Sequence, residues 1–498
     1  MSITLEQLIQ WRREFHRFPE IGWSEFWTTS RIADYLEEMG FDILLGDKII
    51  NPEFVRGRQQ AVVEAGLAKA IAYGAKAKWL DQMKGYTGCV AVLDTGKPGK
   101  TVALRFDIDC VNVSETTHPE HIPNQYGFAS LNDGFMHACG HDAHITIGLG
   151  TAKWLAENKD KLSGKIKIVF QPAEEGVRGA AAIAASGIID DADYFASSHI
   201  SFCSDTGTVI SNPRNFLSTT KIDIRYQGKP AHAGAAPHLG HNALLAAAHT
   251  VTQLHGIARH GEGMTRINVG VLNAGEGRNV IPATAQLQLE VRGENKAINE
   301  YMVAQVMQMA KGIAIGFDVS YETEIMGEAV DMVNDEELIQ LVENIALQQA
   351  DIKQVNADYA FNASEDATIF LLNFGGYFCT CFNPLNRSCS KLKVFCSFVS
   401  VSNSWSSLIV LTVLPSTNCV QLKACFSAGS TKSAADCSNC LRYCAISCSL
   451  SFSWLSTIFL VIRRCSLMRR FCTLAPSSLL KATFSTHSPS HKYTPFLS

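Results

Sequence analysis

Between residues 89 and 200 short apolar runs alternate with helical segments, and no other feature narrows the fold as far. Residues 89–93, 102–106 and 165–170 have the length and apolarity of strands buried on both faces, and 194–200 is a fourth candidate. Helical text lies between the later runs, at 145–157 and in an Ala-rich stretch after Gly176. This alternation predicts an α/β fold with a mainly parallel sheet, whose ligands gather where the strands end. Those ends carry reactive side chains: Arg105-Phe106-Asp107-Ile108-Asp109, then Gln171-Pro172-Ala173-Glu174-Glu175-Gly176, then His199.

Upstream, 5–16 and 26–39 read as helices. In the second, Ile32, Tyr35, Leu36 and Met39 fall at i, i+3, i+4 and i+7, and Gly40 follows as a stop. Residues 61–80 read as one further helix. From 219 the order changes to strand 219–226, helix 242–255, strand 267–272, strand 285–292, helix 297–312 and strand 318–324. That β-α-β-β-α-β order is the ferredoxin-like motif, here inserted into a larger α/β domain. A helix at 335–348 resumes the larger domain, and Ser364-Glu365-Asp366 gives the acidic start of a last one at 367–372.

The sequence changes character near residue 373. Residues 1–372 hold 46 acidic and 31 basic side chains and four cysteines, Cys89, Cys110, Cys139 and Cys203. Residues 373–498 hold twelve Lys and Arg, one acid (Asp436) and the other twelve cysteines. The overall charge of −4 gives no reason to expect nucleic-acid binding. The apolar run 454–462 is too short to span a bilayer, and Met1-Ser2-Ile3-Thr4-Leu5-Glu6 lacks the regions of a secretion signal, so a cytoplasmic setting without a membrane partner is expected. Cys437-x2-Cys440-x3-Cys444-x3-Cys448 reads as chance spacing in Cys-rich text rather than a metal or iron–sulfur site.

The stretch His137-Ala138-Cys139-Gly140-His141-Asp142-Ala143-His144 packs three imidazoles, a thiol and a carboxylate into eight residues. That density suits a metal site. Hydrolysis at a metal needs ligands, a water of lowered pKa, and a general base that is not itself a ligand. Cys139, His141, Glu175 and His199 can be the ligands. Glu174 and Glu175 can divide the remaining work, one binding metal while the other faces the water. Asp107 or Asp109 would hold a ligand imidazole in its tautomer. A zinc finger is disfavoured, because the candidate ligands do not fall into two close Cys/His pairs.

Together with Gly228-Lys229-Pro230-Ala231-His232-Ala233-Gly234 and Gly277-Arg278-Asn279-Val280-Ile281-Pro282, these motifs resemble the dinuclear-metal amidohydrolases and peptidases that include hippurate hydrolase, N-acyl amino acid hydrolases and auxin-conjugate hydrolases. A helical insertion at 47–85, the helix start 241–248 and the strand 266–270 narrow the resemblance to members that cleave p-aminobenzoyl-glutamate. It covers residues 1–372. The resemblance implies an aminopeptidase-like catalytic domain with an inserted lid, and two divalent ions, Mn2+ or Zn2+, on Cys139, His141, Glu175 and His199, with Cys139 bridging. It implies Glu174 as the base, taking a proton from water and returning it to the leaving amine. It also implies that His232 reaches a partner's active site to polarise the scissile carbonyl, while Asn279 and Arg292 hold the substrate's carboxylate. The lid would join a homodimer, or a heterodimer with a related subunit. The expected reaction splits p-aminobenzoyl-glutamate into p-aminobenzoate and glutamate, with another acyl or aroyl amino acid as the alternative substrate.

The implied layout is 1–216 and 329–372 for the two parts of the catalytic domain, 217–328 for the lid, and 373–498 for an atypical tail. The family supplies a last metal ligand, a histidine after glycine near the C-terminus. Downstream of the lid this chain has only His487 and His491, without that glycine. The tail is therefore expected to be out of frame and poorly ordered, leaving the site one ligand short. The alternative function that follows is a catalytically defective chain or a partner subunit.

Overall fold

The computed structural model describes residues 3–200, 204–357 and 359–372, with the backbone alone of strands 376–381, 392–397 and 410–415. The expectations for Cys203, for the tail's cysteine array and apolar run, and for His487 and His491 lie outside the described residues.

Thr4 caps the first helix, α1 (Leu5–Arg17), by accepting a hydrogen bond from the Gln7 amide, and Leu8, Trp11 and Phe15 face the core. The second, α2 (Phe26–Glu38), buries Ile32 and Leu36. The helix expected over 61–80 is two helices, α3 (Gln60–Ala72) and α4 (Ala77–Met83). Gly74 separates them at φ +86°, and the Ala75 amide reaches back to the Ala70 carbonyl in a Schellman-type stop.

The main sheet contains β1 (Asp42–Leu45), β2 (Cys89–Asp94), β3 (Thr101–Asp107), β4 (Lys165–Gln171), β5 (Tyr194–Ile200), β6 (Thr208–Ile210), β12 (Gln354–Asn356) and β14 (Gly376–Cys381). The strand order is β1-β2-β4-β3-β5-β14-β6-β12, and the two-residue strands β7 (Pro213–Arg214) and β13 (Tyr359–Ala360) pair with each other. Its centre, β4-β3-β5-β14, is parallel, whereas β2 runs antiparallel to both β1 and β4, and β6 is antiparallel to β14. The sheet is thus mixed around a parallel centre. Residues 95–100, which link β2 to β3, are too few for a helical crossover, so the chain returns in the opposite direction.

Across the centre lies α6 (His141–Glu157), buried almost throughout its first twelve residues. It starts at His141, four residues earlier than expected, because Gly140 at φ +93° turns the chain and accepts the first helical amides. Gly148 permits the close approach to the sheet: a Cβ there would lie 2.6 Å from the Phe170 ring. Helices α5 (Ile122–Gln125), ahead of α6, and α7 (Ala180–Ala184), the Ala-rich one after Gly176, are short.

A second sheet is built from β8 (Ser218–Gln227), β9 (Thr265–Ala274), β10 (Thr284–Gly293) and β11 (Ser320–Ala329), in the antiparallel order β11-β8-β10-β9. Two helices, α8 (Ala243–Leu254) and α9 (Lys296–Phe317), share its apolar core. Ile222, Ile224, Tyr226, Leu287, Leu289 and Val291 alternate inward, and Ala246, Met302, Val306 and Ala310 meet them. Among the described residues no helix is long and apolar enough to cross a membrane.

Candidate metal centre

Adjacency of β4, β3 and β5 brings their carboxyl ends together, and the N-terminus of α6 points into the same place. Four segments distant in sequence therefore deliver Asp107 and Asp109, Glu174 and Glu175, His199, and Cys139 with His141. Cys139, His141 and His199 offer ligand atoms within 4.8 Å of one another, as do His141, Glu174 and Glu175. The Cys139 Sγ lies 3.4 Å from His199 Nε2. His141 Nε2 is 4.0 Å from both Glu174 Oε2 and Glu175 Oε1, and 3.7 Å from Asp107 Oδ1.

Hydrogen bonds decide which imidazole nitrogens are free. His141 Nδ1 donates to the Asp109 carbonyl, 2.8 Å away, and His199 Nδ1 donates to the Ile200 carbonyl at 2.7 Å. Each ring is thereby held with an Nε2 lone pair turned to the centre. His144 differs: Nδ1 bonds Asp107 and Nε2 accepts the Ile200 amide at 2.9 Å, so no lone pair is left for a metal. Asp107 thus orients His144, and the group that orients His141 is a main-chain carbonyl of Asp109.

The donor set fits a divalent ion. His141 Nε2 and Glu175 Oε1 are buried polar atoms without a hydrogen-bond partner, an arrangement that costs free energy unless a ligand completes it. Soft thiolate, borderline imidazole and hard carboxylate together make a donor set for a divalent metal ion. Burial pushes the Cys139 thiol up and brings His199 down to about 3. Burial pulls His141 down, but the charges of Asp107 and Cys139 and the hydrogen bonds to Asp109 and Cys139 together outweigh it and hold that ring well above its ordinary value. Glu174 is held well above the usual carboxylate range by burial and by the charges of Glu365 and Asp366.

Behind these groups stand residues that are not among the candidate ligands or the base. Arg105, fully buried, spans Asp107 at 2.8 Å and Glu365 and Asp366 at 3.0 Å. Asp142 is gripped by His16 at 2.9 Å and Arg12 at 3.1 Å. His137 is buried with both ring nitrogens unpartnered, and burial brings it down to about 3. No local pattern signals these roles, since Arg105 and Asp366 are 261 residues apart.

The remaining candidates lie on the second sheet and its loops. His232 is exposed, and its Nδ1 accepts the Gly234 and Ala235 amides, which leaves Nε2 as the N–H donor. Asn279 is also exposed, and its carbonyl accepts the Ala233 amide, so the two candidate motifs sit side by side. Arg292 is engaged with Glu290 through two bonds and with Ser364 Oγ through a third. Among the described residues no hydrogen bond or ion pair joins His232, Asn279 or Arg292 to Cys139, His141, Glu174, Glu175 or His199.

A mixed α/β sheet with such a donor set gathered at its strand ends and at the start of α6 defines a protein of the metal-binding α/β class. The model of peptidase family M20/M25/M40 matches residues 103–391, and this chain belongs to that family. Over 370 residues, 74% of this chain and 88% of the relative, it is 80% identical to a Haemophilus influenzae homolog of one of the subunits of p-aminobenzoyl-glutamate hydrolase. It is 43% identical to the corresponding p-aminobenzoyl-glutamate hydrolase chain of Escherichia coli K12 over 368 residues, 73% of this chain and 84% of that one. The crystal structure of an aminobenzoyl-glutamate utilization protein from Klebsiella pneumoniae superposes with a TM-score of 0.67 at 36% identity, covering 76% of this chain and 92% of that one.

Proposed function

We propose that the chain is an amidohydrolase that splits p-aminobenzoyl-glutamate into p-aminobenzoate and glutamate, using two divalent ions, Mn2+ or Zn2+. The observation that carries this reading is the convergence of Cys139, His141, Glu175 and His199 around unpartnered ligand atoms, in a chain 80% identical to a relative named for that hydrolase. Those four residues would hold the ions, which supply Lewis acidity toward the scissile carbonyl and toward the attacking water. Glu174 takes a proton from that water at a carboxylate oxygen. As the C–N bond breaks, the same oxygen returns the proton to the leaving nitrogen. His232, with Nε2–H as its donor, is suited to stabilise negative charge on the carbonyl oxygen, and Asn279 to bind a substrate carboxylate. Arg292, which also bonds Glu290, is suited to bind the same carboxylate with its remaining N–H groups.

Residues 217–328 act in this reading as lid and dimerisation unit, between two copies or with a related subunit, in the cytoplasm. The test is purified protein assayed with p-aminobenzoyl-glutamate, benzoyl-glutamate and acetyl-glutamate, with and without Mn2+ or Zn2+. Metal-dependent release of p-aminobenzoate, faster than release from the other two, is expected; equal rates would point to a broader acyl amino acid hydrolase. A rival reading, a defective chain or partner subunit, is favoured by the lack of any histidine between 261 and 486. Absence of turnover with all three substrates in metal-loaded protein would favour it.

A further inference from the structure

The segment carrying Glu174 and Glu175 is strained. Ala173 and Val177 both occupy the left-handed region, at φ +53° and +57°, where residues with a Cβ are disfavoured. Such strain persists only where the surroundings impose it. Here they do so through carboxylates. The Ala173 amide donates to Glu25 Oε1 at 2.7 Å, the Glu174 and Glu175 amides donate to the two oxygens of Asp109 at 3.1 and 3.0 Å, and the Gly179 and Ala180 amides donate to Asp366 Oδ2 at 3.1 and 3.0 Å. All three acids are fully buried.

Of the three, Glu25 is the least expected on grounds of stability. Asp366 has Arg105 as a counter-charge, but among the described residues Glu25 has no cation within ion-pair distance, and its second oxygen accepts the Thr87 hydroxyl at 2.6 Å. An apolar or amide side chain would be cheaper to bury at that place. Packing acts with it, because Gly22 lies so close that a Cβ there would meet Ala173 Cα at 2.9 Å. We propose that Glu25, at the start of α2, is a positioning residue for the Glu174–Glu175 pair: by accepting the Ala173 amide it holds the left-handed turn that aims one carboxylate at the metal and the other at the reacting water. The inference rests on the proposed roles of Glu174 and Glu175, and it assigns Glu25 no contact with substrate.

The test compares wild type with Glu25→Ala, Glu25→Gln and the milder Thr87→Val, which removes the hydroxyl that orients the Glu25 carboxyl. Val342→Ala, in the core of the helix at Glu336–Leu347, serves as a control of matched thermal destabilisation. Three quantities are read: deuterium uptake at amides 173–180 without added metal, Mn2+ affinity by calorimetry, and kcat and KM for p-aminobenzoyl-glutamate. Glu25→Ala is expected to exchange faster in that segment, to bind Mn2+ roughly 10–100-fold more weakly, and to lose kcat with KM changed by less than about twofold. Glu25→Gln, which keeps an acceptor oxygen, should restore most of each, and Thr87→Val should fall between. Wild-type exchange and Mn2+ affinity in Glu25→Ala would overturn the proposal. So would the same losses in Val342→Ala, or failure of Glu25→Gln to rescue. If Glu25→Ala does not fold, Thr87→Val decides by the same readings. If wild type itself neither binds Mn2+ nor turns over, the proposed function fails, while the exchange measurement still judges Glu25.

Discussion

Replacing Arg105 with methionine should unlock the candidate site from beneath. The guanidinium is fully buried, bonded to Asp107, Glu365 and Asp366 at 2.8–3.0 Å and to Gln171 Oε1 at 2.8 Å. Its removal strands three buried carboxylates. At an effective dielectric of about 20, a pair of charges 3 Å apart is worth roughly 5 kcal/mol before desolvation is counted. Breaking one buried pair costs about 3–5 kcal/mol, which is a lower bound for three. With about 2–4 °C lost per kcal/mol, the midpoint should fall by roughly 6–20 °C. The loss should depend on pH. Burial holds Asp366 at about 7 even though Arg105 opposes it, so without Arg105 its carboxyl keeps its proton to higher pH and the deficit grows as pH rises from 7 to 8.5. Thermal unfolding followed by circular dichroism at pH 5, 7 and 8.5 measures this, with Arg105→Lys expected to lie between, since it keeps charge but loses the fork. A methionine variant as stable as wild type, or a deficit that does not change with pH, would refute the reasoning.

Stability of the unsubstituted chain should fall as pH rises from 6 to 9. Burial raises Glu20 to about 7 and Glu25 to about 8, so the folded state keeps protons that the unfolded state releases. Burial lowers His16, but its bonds to Asp142 and Glu115 raise it to about 9; its contribution is complete below pH 6.5 and lost as pH climbs through 9. On the acid side, burial opposes but Arg12 lowers Asp142, and His16 brings Glu115 down to about 2, so their contributions are lost below about pH 4. Thermal midpoints across this range check both limbs, and His16→Gln should flatten the alkaline one. His232→Ala should lower kcat by roughly 10²–10³ with metal content unchanged, measured by steady-state kinetics beside elemental analysis. Cys139→Ala should weaken Mn2+ binding, read by calorimetry, without shifting the metal-free thermal midpoint downward.

Much of the fold is local in origin and could be read early. The apolar runs that became β2 to β5 are long enough, and buried enough, to announce themselves, and the 3.6-residue period of α2 placed Ile32 and Leu36 in the core. Inward alternation of Ile222, Ile224 and Tyr226 likewise marked β8. The antiparallel flank of the main sheet was not legible, because pairing depends on which strand inserts between β2 and β3. Nor was the break in 61–80, where one glycine outweighed the helix propensity of its alanines. At the site, the dense His137–His144 stretch with Cys139 and His141, and the strand-end positions of Glu174, Glu175 and His199, pointed to metal chemistry. The acids that aim them could not be found this way. Glu25 reads as an ordinary polar residue ahead of a helix, and Asp366 as a helix start. Only burial and partners far away in sequence give them meaning.

Binding of divalent ions through Cys139, His141, Glu175 and His199, with Glu174 as the base, is tested most directly by metal content per chain together with p-aminobenzoyl-glutamate turnover, made on the same samples of wild type and Glu174→Gln. Two ions and metal-dependent turnover are expected in wild type, and the same two ions with nearly all turnover lost in Glu174→Gln. Fewer than two ions without turnover in wild type, or full activity in Glu174→Gln, would contradict it.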